Sequence, residues 1–293
     1  MHRPVKKLLH HHIKRGITRI RLLFKEQGGY ISRVAHKPGP TNSGESLVVI
    51  SANLWHDWPR HRVLPERLES FAATVEREGA DVVLLQEVVR LPGMRADEWL
   101  ADRLGMSSVY LRVNGHAGAI GFEEGLTILS KEPISESRAL KLEPARVPLV
   151  KRMALAAKVS GDQGDFWAFS AHLAVLNRPN ITQLAHLRSW VTATSGSQMA
   201  LIGGDFNADE KKPQIRHVSS DWVDLYRRKN PDKEGTTFAL RTPLGVFRRR
   251  LDYLFLHHGE PHWQVEDSGH LGNSTPDYSD HASVIARLRR TSL

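Results

Sequence analysis

Residues 200–207 read ALIGGDFN and contain the most informative pattern in the chain. Five apolar or small residues are followed by Asp205 and, two positions later, by Asn207. A short apolar run that ends in polar residues is typical of a strand buried on both faces of a sheet. Since alternate residues of an extended chain point to the same side, Asp205 and Asn207 are expected to project together. We interpret the run as a core strand that presents part of a functional site.

Short apolar runs of the same kind recur along the chain. They predict strands over residues 47–54, 81–88, 126–130, 153–159, 166–173, 200–206, 251–256 and 282–286. Apolar residues at helical spacing predict helices over residues 65–78, 96–104 and 182–193. Strands interspersed with helices predict a layered α/β fold.

The composition restricts the classes of function. The chain has 293 residues, a net charge of +9 and no cysteine. A positive field attracts phosphate-bearing partners, including nucleic acids and anionic membrane surfaces. The lack of cysteine excludes a disulfide framework, a thiolate zinc site and a cysteine nucleophile. No apolar run approaches the roughly 18 residues of a membrane span, so we expect a cytoplasmic protein or one peripheral to a membrane.

Composition also suggests three parts. Residues 1–26 have the pattern of a basic amphipathic helix, which either contacts an anionic membrane or nucleic acid or packs on the domain. Residues 27–46 are rich in Gly and Pro and are predicted to be a linker. Residues 47–293 are predicted to form the catalytic domain, in which the basic segment 209–250 either shapes the substrate cleft or is ordinary surface.

Polar side chains stand repeatedly at the ends of the predicted strands. They are Asn53, Glu87, His172, Asp205, Asn207, Asp252, Asp280 and His281. Taken singly, each has an ordinary interpretation as a turn residue, a surface ion pair or a core histidine. Taken together, they supply the oxygen ligands of a hard divalent cation and the acids and bases that phosphate hydrolysis requires.

The order of the motifs strengthens this interpretation. The motifs are Ser51-Ala52-Asn53, Leu85-Gln86-Glu87, Ser170-Ala171-His172-Leu173, Gly204-Asp205-Phe206-Asn207, Arg250-Leu251-Asp252-Tyr253 and Ser279-Asp280-His281. In this order they resemble the endonuclease/exonuclease/phosphatase superfamily over residues 47–288. The resemblance implies a DNase I-like, four-layer α/β sandwich of two packed mixed β-sheets flanked by helices.

The resemblance also implies a role for each polar residue. Mg²⁺, with Mn²⁺ as an alternative ion, would be bound by Glu87 with Asn53 adjacent, and Asp280 would be a further metal or orienting carboxylate. The remaining residues would be catalytic. Asp205 would orient or deprotonate the attacking water, and Asn207 would bind the phosphoryl group or fix Asp205.

Two histidines would act on the phosphoryl group. His172 and His281 would donate to it, and Asp252 would hold the tautomer of His281 and favour its imidazolium form. The metal, the positioned water and the histidines are expected to act as a unit.

Differences between these motifs and those of individual branches of the superfamily narrow the range of expected substrates. Arg250-Leu251-Asp252-Tyr253 lacks the cysteine typical of inositide phosphatases, and Ala171-His172-Leu173 replaces the pattern typical of abasic-site endonucleases. A phosphodiesterase is therefore favoured, with nucleic acid as the preferred substrate. The alternatives are a sphingomyelinase-like phosphodiesterase or a phosphatase at a membrane surface, and a phosphate-binding module without activity. No obligate protein partner is predicted.

Overall fold

The computed structural model describes residues 30–36, 45–143, 150–161, 164–243, 245–272 and 278–291. The strands are β1 (Ile31–Val34), β2 (Ser46–Asn53), β3 (Val82–Leu91), β4 (Met94–Arg95), β5 (Ser107–His116), β6 (Phe122–Ser130), β7 (Ile134–Lys141), β8 (Met153–Val159), β9 (Phe166–His172), β10 (Ala200–Asp205), β11 (Val223–Asp224), β12 (Phe238–Thr242), β13 (Gly245–Arg249), β14 (Asp252–His257), β15 (Trp263–Leu271) and β16 (Ser283–Arg290). The helices are α1 (Leu64–Glu78), α2 (Ala96–Leu104), α3 (Ala117–Ile120), α4 (Asn177–Ser195), α5 (Pro213–Val218) and α6 (Leu225–Lys229).

Two mixed sheets form the framework. The eight-stranded sheet has the order β1-β5-β6-β3-β2-β16-β15, with β4 paired to β3. The six-stranded sheet has the order β11-β14-β10-β9-β8-β7. In each sheet a parallel pair, β2 with β3 and β9 with β10, is connected through a helix, and antiparallel strands flank it. Both parallel pairs direct the ends of their strands to one edge of the molecule.

The sheets pack face to face because the central strands are apolar on both sides. Leu47 and Val49 of β2 point into a core between the sheets, which also contains Leu201 of β10. The intervening Val48 and Ile50 point outward into a second core. This alternation follows from the two-residue period of an extended chain, and it fixes the register of β2 because a slip of one residue would exchange the two faces.

Helices cover both outer faces. Phe71 of α1 and Leu100 of α2 belong to the core on the outer side of the eight-stranded sheet. Leu187 of α4 and Ile215 of α5 belong to the core on the outer side of the six-stranded sheet. The predicted four-layer α/β sandwich is thereby confirmed.

The predicted linker requires a correction. Ile31–Val34 forms β1 and pairs antiparallel with β5, so residues 27–46 are not all linker and the sheet begins before residue 47. The four-residue strand was missed because the Gly and Pro residues around it dominate the local composition. The predicted amphipathic helix at residues 1–26 lies outside the described residues. No helix within the described ranges is long and apolar enough to span a membrane.

The basic segment 209–250 is largely structured. It contains α5, β11, α6 and the hairpin of β12 and β13. The hairpin forms a separate two-stranded sheet, which an isolated bridge between Phe238 and His281 joins to the segment before β16.

Candidate active site

The predicted site residues converge where the central strands of both sheets end. In the six-stranded sheet, Asp205 of β10 is in register with His172 of β9 and with Asp252 of β14. In the eight-stranded sheet, Asn53 ends β2 and Glu87 lies on the adjacent strand β3. The motifs that are far apart in sequence thus meet at one edge of the sandwich.

Two glycines allow β10 to approach its neighbours closely. A Cβ atom on Gly204 would lie 2.1 Å from the carbonyl oxygen of Ala171 in β9. A Cβ atom on Gly203 would lie 2.7 Å from Cδ1 of Leu84 in the facing sheet. Since neither distance is tolerable, any side chain here would displace backbone or core. The two glycines therefore set the spacing at which Asp205 meets both sheets.

Asn53 connects the two sheets at the centre of the site. Its Nδ2 donates to Oδ2 of Asp205 over 3.2 Å and to Oε1 of Glu87 over 3.1 Å. Its Oδ1 accepts the backbone N–H of Trp55 over 2.9 Å, which fixes the orientation of the amide. A single buried side chain thereby positions both carboxylates.

Glu87 owes its direction to an irregularity in β3. The register between β3 and β6 shifts between Leu85 and Val88, and Glu87 has a positive φ of 55°. Such a bulge redirects a side chain out of the regular alternation. Oε2 of Glu87 accepts the backbone N–H of His56 over 3.1 Å and lies 3.4 Å from Nε2 of the same residue.

Asp252 and His281 form a buried ion pair. Nδ1 of His281 lies 2.8 Å from Oδ2 of Asp252. Burial by itself would lower the pKa of His281, but the charge and the hydrogen bond of Asp252, with the charges of Asp205 and Asp280, raise it to about 10. His281 is therefore an imidazolium at neutral pH, and its Nε2–H is the donor left for a ligand.

The carboxyl group of Asp205 has a pKa close to neutral pH. Burial and then the negative charge of Asp252 raise its pKa to about 7, against opposing contributions from His281 and from a hydrogen bond to Asn207. That hydrogen bond is donated by the backbone N–H of Asn207 to Oδ1 over 2.9 Å. A carboxyl group with this pKa exchanges protons readily at physiological pH.

His172 is neutral and oriented. Burial, followed by the positive charges of Arg152, His281 and His56, lowers its pKa well below 6.5. Nη1 of Arg152 lies 3.3 Å from Nδ1 of His172, and because an arginine can only donate, Nδ1 must be the acceptor. The proton of the neutral ring then lies on Nε2, which is 3.4 Å from Oδ2 of Asp205.

The other two predicted residues, Asn207 and Asp280, have different surroundings. The side chain of Asn207 donates to the carbonyl oxygen of Leu173 over 3.0 Å, and its positive φ of 49° suits an asparagine at the end of a strand. Asn207 thus helps to fix Asp205, one of the two roles predicted for it. Asp280 is solvent-exposed beside His281, and its role as a metal ligand stays a prediction.

Several residues at the site were not identified from the sequence. Glu124 of β6 is buried, accepts a hydrogen bond from Asn114, and has a pKa raised by burial and by the charge of Glu87. His56 and Arg152 contact Glu87 and His172. All lie at the beginnings of strands or in loops rather than at the ends of apolar runs. Of these residues, only Glu124 had a sequence signal. It forms an acidic pair with Glu123 just before the apolar run at residues 126–130.

Two groups of ligand atoms can be considered for a divalent cation. Asp205, Asp252 and His281 each offer a ligand atom, and these atoms lie within 4.8 Å of one another. In that group, however, Nδ1 of His281 and Oδ2 of Asp252 already bond each other over 2.8 Å, so these two atoms are not free for an ion.

Glu87 with Asn53 is therefore the better candidate. The carboxylate oxygens of Glu87 are ligands suited to Mg²⁺, and the amide oxygen of Asn53, which accepts the N–H of Trp55, keeps a second lone pair for the ion. The local excess of negative charge, which raises the pKa of Asp205 partly through Asp252 and Glu87, is the electrostatic condition that a cation relieves. The residues present thus fit a divalent cation.

The fold and this constellation define an α/β sandwich phosphoesterase. The chain belongs to the endonuclease/exonuclease/phosphatase family, whose model matches residues 50–281. Members of this family are metal-dependent phosphoesterases, and the predicted family resemblance is confirmed. A search of curated proteins gave no match.

Solved structures of low sequence identity share the fold. A family protein from Leptotrichia buccalis C-1013-b is 19% identical, with a TM-score of 0.65, and the match covers 83% of this chain and 99% of that one. A mannosyl-6-phosphatase from Bacteroides thetaiotaomicron VPI-5482 is 19% identical, with a TM-score of 0.64 and the same coverage. D. rerio TDP2, in complex with a single-strand DNA product, is 18% identical, with a TM-score of 0.64 and coverage of 83% and 98%.

Proposed function

We propose that this protein is a Mg²⁺-dependent phosphodiesterase. The observation that carries the proposal is the environment of Asp205, a buried carboxyl group that Asn53 contacts from the facing sheet and that lies 3.4 Å from His172. The ion pair of Asp252 and His281 stands beside it. A general base, a neutral donor and a cationic donor around one point are the groups that phosphoryl transfer to water requires.

Asp205 would act on the attacking water. In its carboxylate form it would accept a hydrogen bond from the water, orient it towards phosphorus and take its proton as the new P–O bond forms. The P–O bond to the leaving group would break in the same displacement, and the departing alkoxide would take up a proton from solvent. The pKa of about 7 leaves a substantial carboxylate fraction at neutral pH while keeping the group basic enough to accept a proton. The N–H groups of Asn53 and Asn207 hold the carboxylate in place during this step.

The two histidines would stabilise the phosphoryl oxygens. His281 donates its Nε2–H to a non-bridging oxygen, and Asp252 keeps the ring charged and oriented through Nδ1. His172 donates from Nε2 as a neutral ring, so it adds a hydrogen bond without repelling His281 by a second full charge. Preorganised donors of this kind stabilise the charge that develops in the transition state.

Glu87 and Asn53 would hold the Mg²⁺, which when bound supplies positive charge to the phosphoryl oxygens. Two hydrogen bonds orient the carboxylate of Glu87 before an ion binds. The N–H of His56 and the amide of Asn53 each bond one oxygen of Glu87, leaving further lone pairs on both oxygens. A groove of about 800 Å³ opens beside Asp280 and is lined by Lys233 and Arg248, where the rest of an anionic substrate fits.

Nucleic acid is the substrate that the sequence favours, and the net charge of +9 is consistent with it. The similar fold of D. rerio TDP2, solved with a single-strand DNA product, also supports this candidate. A phospholipid phosphodiesterase is the second candidate, because exposed apolar side chains, among them Val175 and Leu176, lie in the loop that follows His172. Both candidates use the same chemistry on a phosphodiester.

Hydrolysis of bis(4-nitrophenyl) phosphate and 4-nitrophenyl phosphate, with and without Mg²⁺, tests the reaction. We expect Mg²⁺-dependent cleavage of the diester and a loss of about 10²-fold or more in kcat for Asp205→Asn. Asp209→Asn, the same change four positions along the chain, is the matched control and should retain activity, because its carboxylate accepts the N–H of Lys211 in an exposed turn. Full activity of Asp205→Asn would overturn the mechanism, and preference for the monoester would identify a phosphatase.

A further inference from the structure

The exposed apolar side chains of the molecule share one location. Among the described residues, eleven large apolar side chains are exposed: Tyr30, Trp58, Val63, Ile120, Val150, Val175, Leu176, Ile181, Leu240, Val246 and Phe247. Every one belongs to a segment at the edge of the sandwich that holds the candidate active site. We call this set the apolar rim.

Two loops after parallel strands contribute five members. Trp58 and Val63 lie between β2, which ends at Asn53, and α1. Val175, Leu176 and Ile181 lie just after β9, which ends at His172, in the loop and at the beginning of α4. Trp58 and Val175 are 59% and 68% exposed, so most of each side chain is in water.

Four further members lie on or between antiparallel strands at the same edge. Leu240, Val246 and Phe247 lie on the hairpin of β12 and β13, which the bridge from Phe238 to His281 joins to the site. Ile120 lies in α3, between the end of β5 and the start of β6.

The remaining two members, Val150 and Tyr30, lie close to residues whose contacts place them at this edge. Val150 precedes β8 and lies two residues before Arg152, which contacts His172. Tyr30 precedes β1, and its carbonyl oxygen accepts the N–H of Arg112 in the second half of β5, the strand that ends at this edge. Single exposed apolar residues are ordinary on a protein surface, but their restriction to one edge indicates an interaction surface.

Positive charge accompanies the apolar rim. The exposed arginines on the same loops and hairpin are Arg60, Arg62, Arg178, Arg248 and Arg249. Arg62 pairs with Asp57, and Arg248 also lines the groove beside Asp280. A surface that combines exposed apolar side chains with arginines is complementary to the interface of an anionic bilayer, where acyl chains and phosphate groups lie a few ångströms apart.

The chemical type of the exposed residues favours a lipid surface over a nucleic acid as the partner of the apolar rim. Only Tyr30, Trp58 and Phe247 are aromatic, whereas the other eight members of the rim are aliphatic. Nucleic acid surfaces are engaged by aromatic side chains, on which bases stack, and by cations. Aliphatic side chains gain little from a base or a phosphate, but they are stabilised in the acyl region of a bilayer.

We propose that the apolar rim docks the active site on an anionic lipid surface, so that the substrate is a phosphodiester in a lipid head group. The substrate assignment rests on the proposed phosphodiesterase function, whereas the docking does not. The chain enters the described fold at Tyr30, on this same edge, so the basic residues 1–26 precede the rim directly in sequence. Docking would bring the head-group phosphate to Asp205 and His281 without lifting the lipid out of the bilayer.

Co-sedimentation of the full chain with vesicles tests the docking. The vesicles are phosphatidylcholine alone and phosphatidylcholine mixed with phosphatidylserine. We expect binding to the anionic vesicles, weakened about tenfold by Leu176→Ser with Phe247→Ser, because two apolar side chains leave the bilayer. Arg248→Glu should also weaken binding, whereas Arg77→Glu, the same change at the far end of α1, is the matched charge control and should bind as the wild type does.

Thermal unfolding of each variant reports whether it is folded. Unchanged vesicle binding by folded rim variants, or equal binding to neutral and anionic vesicles, would overturn the proposal. Binding to single-stranded DNA or a rim-dependent dimer, without vesicle binding, would also overturn it. Vesicle binding without Mg²⁺-dependent cleavage of either vesicle lipid or bis(4-nitrophenyl) phosphate would leave the docking supported and reject the phosphodiesterase function.

Discussion

Oδ2 of Asp252 lies 2.8 Å from Nδ1 of His281, although 29 positions separate the two residues in the chain. Asp252 begins β14 in the six-stranded sheet, whereas His281 precedes β16 in the eight-stranded sheet. The pair therefore joins the two sheets at the site, and both side chains are buried. The carboxylate is what keeps a buried imidazole charged, because burial alone would remove its proton.

Asp252→Asn tests whether the negative charge of Asp252, rather than its size, is what His281 requires. The amide retains the size of the carboxyl group but no longer favours the imidazolium, so kcat should fall about 10²-fold or more. The pKa of His281 is about 10 in the wild type, and it should fall in the variant, moving the alkaline limit of activity to lower pH. A full pH profile measures this shift. An unaltered alkaline limit would show that Asp252 does not control the charge of His281.

Asp205 and His281 should behave as a unit. If both act on one transition state, Asp205→Ala and His281→Ala each remove most of the catalysis, and the double variant is little worse than either single one. Steady-state kinetics of the four proteins on one diester tests this. Multiplicative losses would mean that the two residues serve separate steps.

Binding of Mg²⁺ should stabilise the folded protein. A cation held by Glu87 and Asn53 binds the native state alone, and at a concentration of 100 times Kd it adds about 2.7 kcal/mol. We expect a higher unfolding temperature with Mg²⁺ than with a chelator in the wild type, and no such increase in Glu87→Gln. Glu66→Gln, an exposed position in the first turn of α1, is the control. Equal stabilisation of Glu87→Gln would place the ion elsewhere.

Gly204→Ala should destabilise the fold and disturb the site together. Its Cβ would meet the carbonyl oxygen of Ala171 at 2.1 Å, so β9 and β10 must separate, at a cost of about 1–3 kcal/mol. Urea denaturation measures this cost, and kcat should fall in parallel. Gly269→Ala in β15 is the matched control, because its Cβ would meet only Cγ2 of Ile285 at 3.9 Å.

His270 should make stability depend on pH. Burial, and then the charge of Arg250, lowers its pKa from 6.5 to about 4, and its ring stacks on Tyr226 with centroids 4.0 Å apart. The unfolded chain binds a proton below pH 6.5 that the folded protein binds only near pH 4, so stability falls as the pH drops between these values.

The loss due to His270 should be of the order of 2 kcal/mol, allowing for its partial exposure. His270→Phe keeps the stacked ring but cannot be protonated, so this part of the loss should disappear. Urea denaturation at several pH values compares the two proteins. Equal slopes in both would contradict the assignment to His270.

The sequence by itself determined the framework of the sandwich and the chemical inventory of its site. The predicted strands at residues 47–54, 166–173 and 200–206 correspond to β2, β9 and β10, because a strand buried on both faces must be apolar throughout. The helices of the crossovers were equally predictable. Asp205 and His281 were identified because polar residues at the ends of apolar runs, in a fixed order, form a pattern that is local in the chain.

Only the tertiary structure decided which residues meet. Strand β1 and the contact of Arg152 with His172 depend on partners distant in the chain, and the local composition gives no sign of them. The same holds for the apolar rim, whose members come from separate loops. Hydrophobic periodicity is a property of neighbouring residues, whereas pKa values, tautomers and surface patches arise from charges and side chains that folding brings together from both sheets.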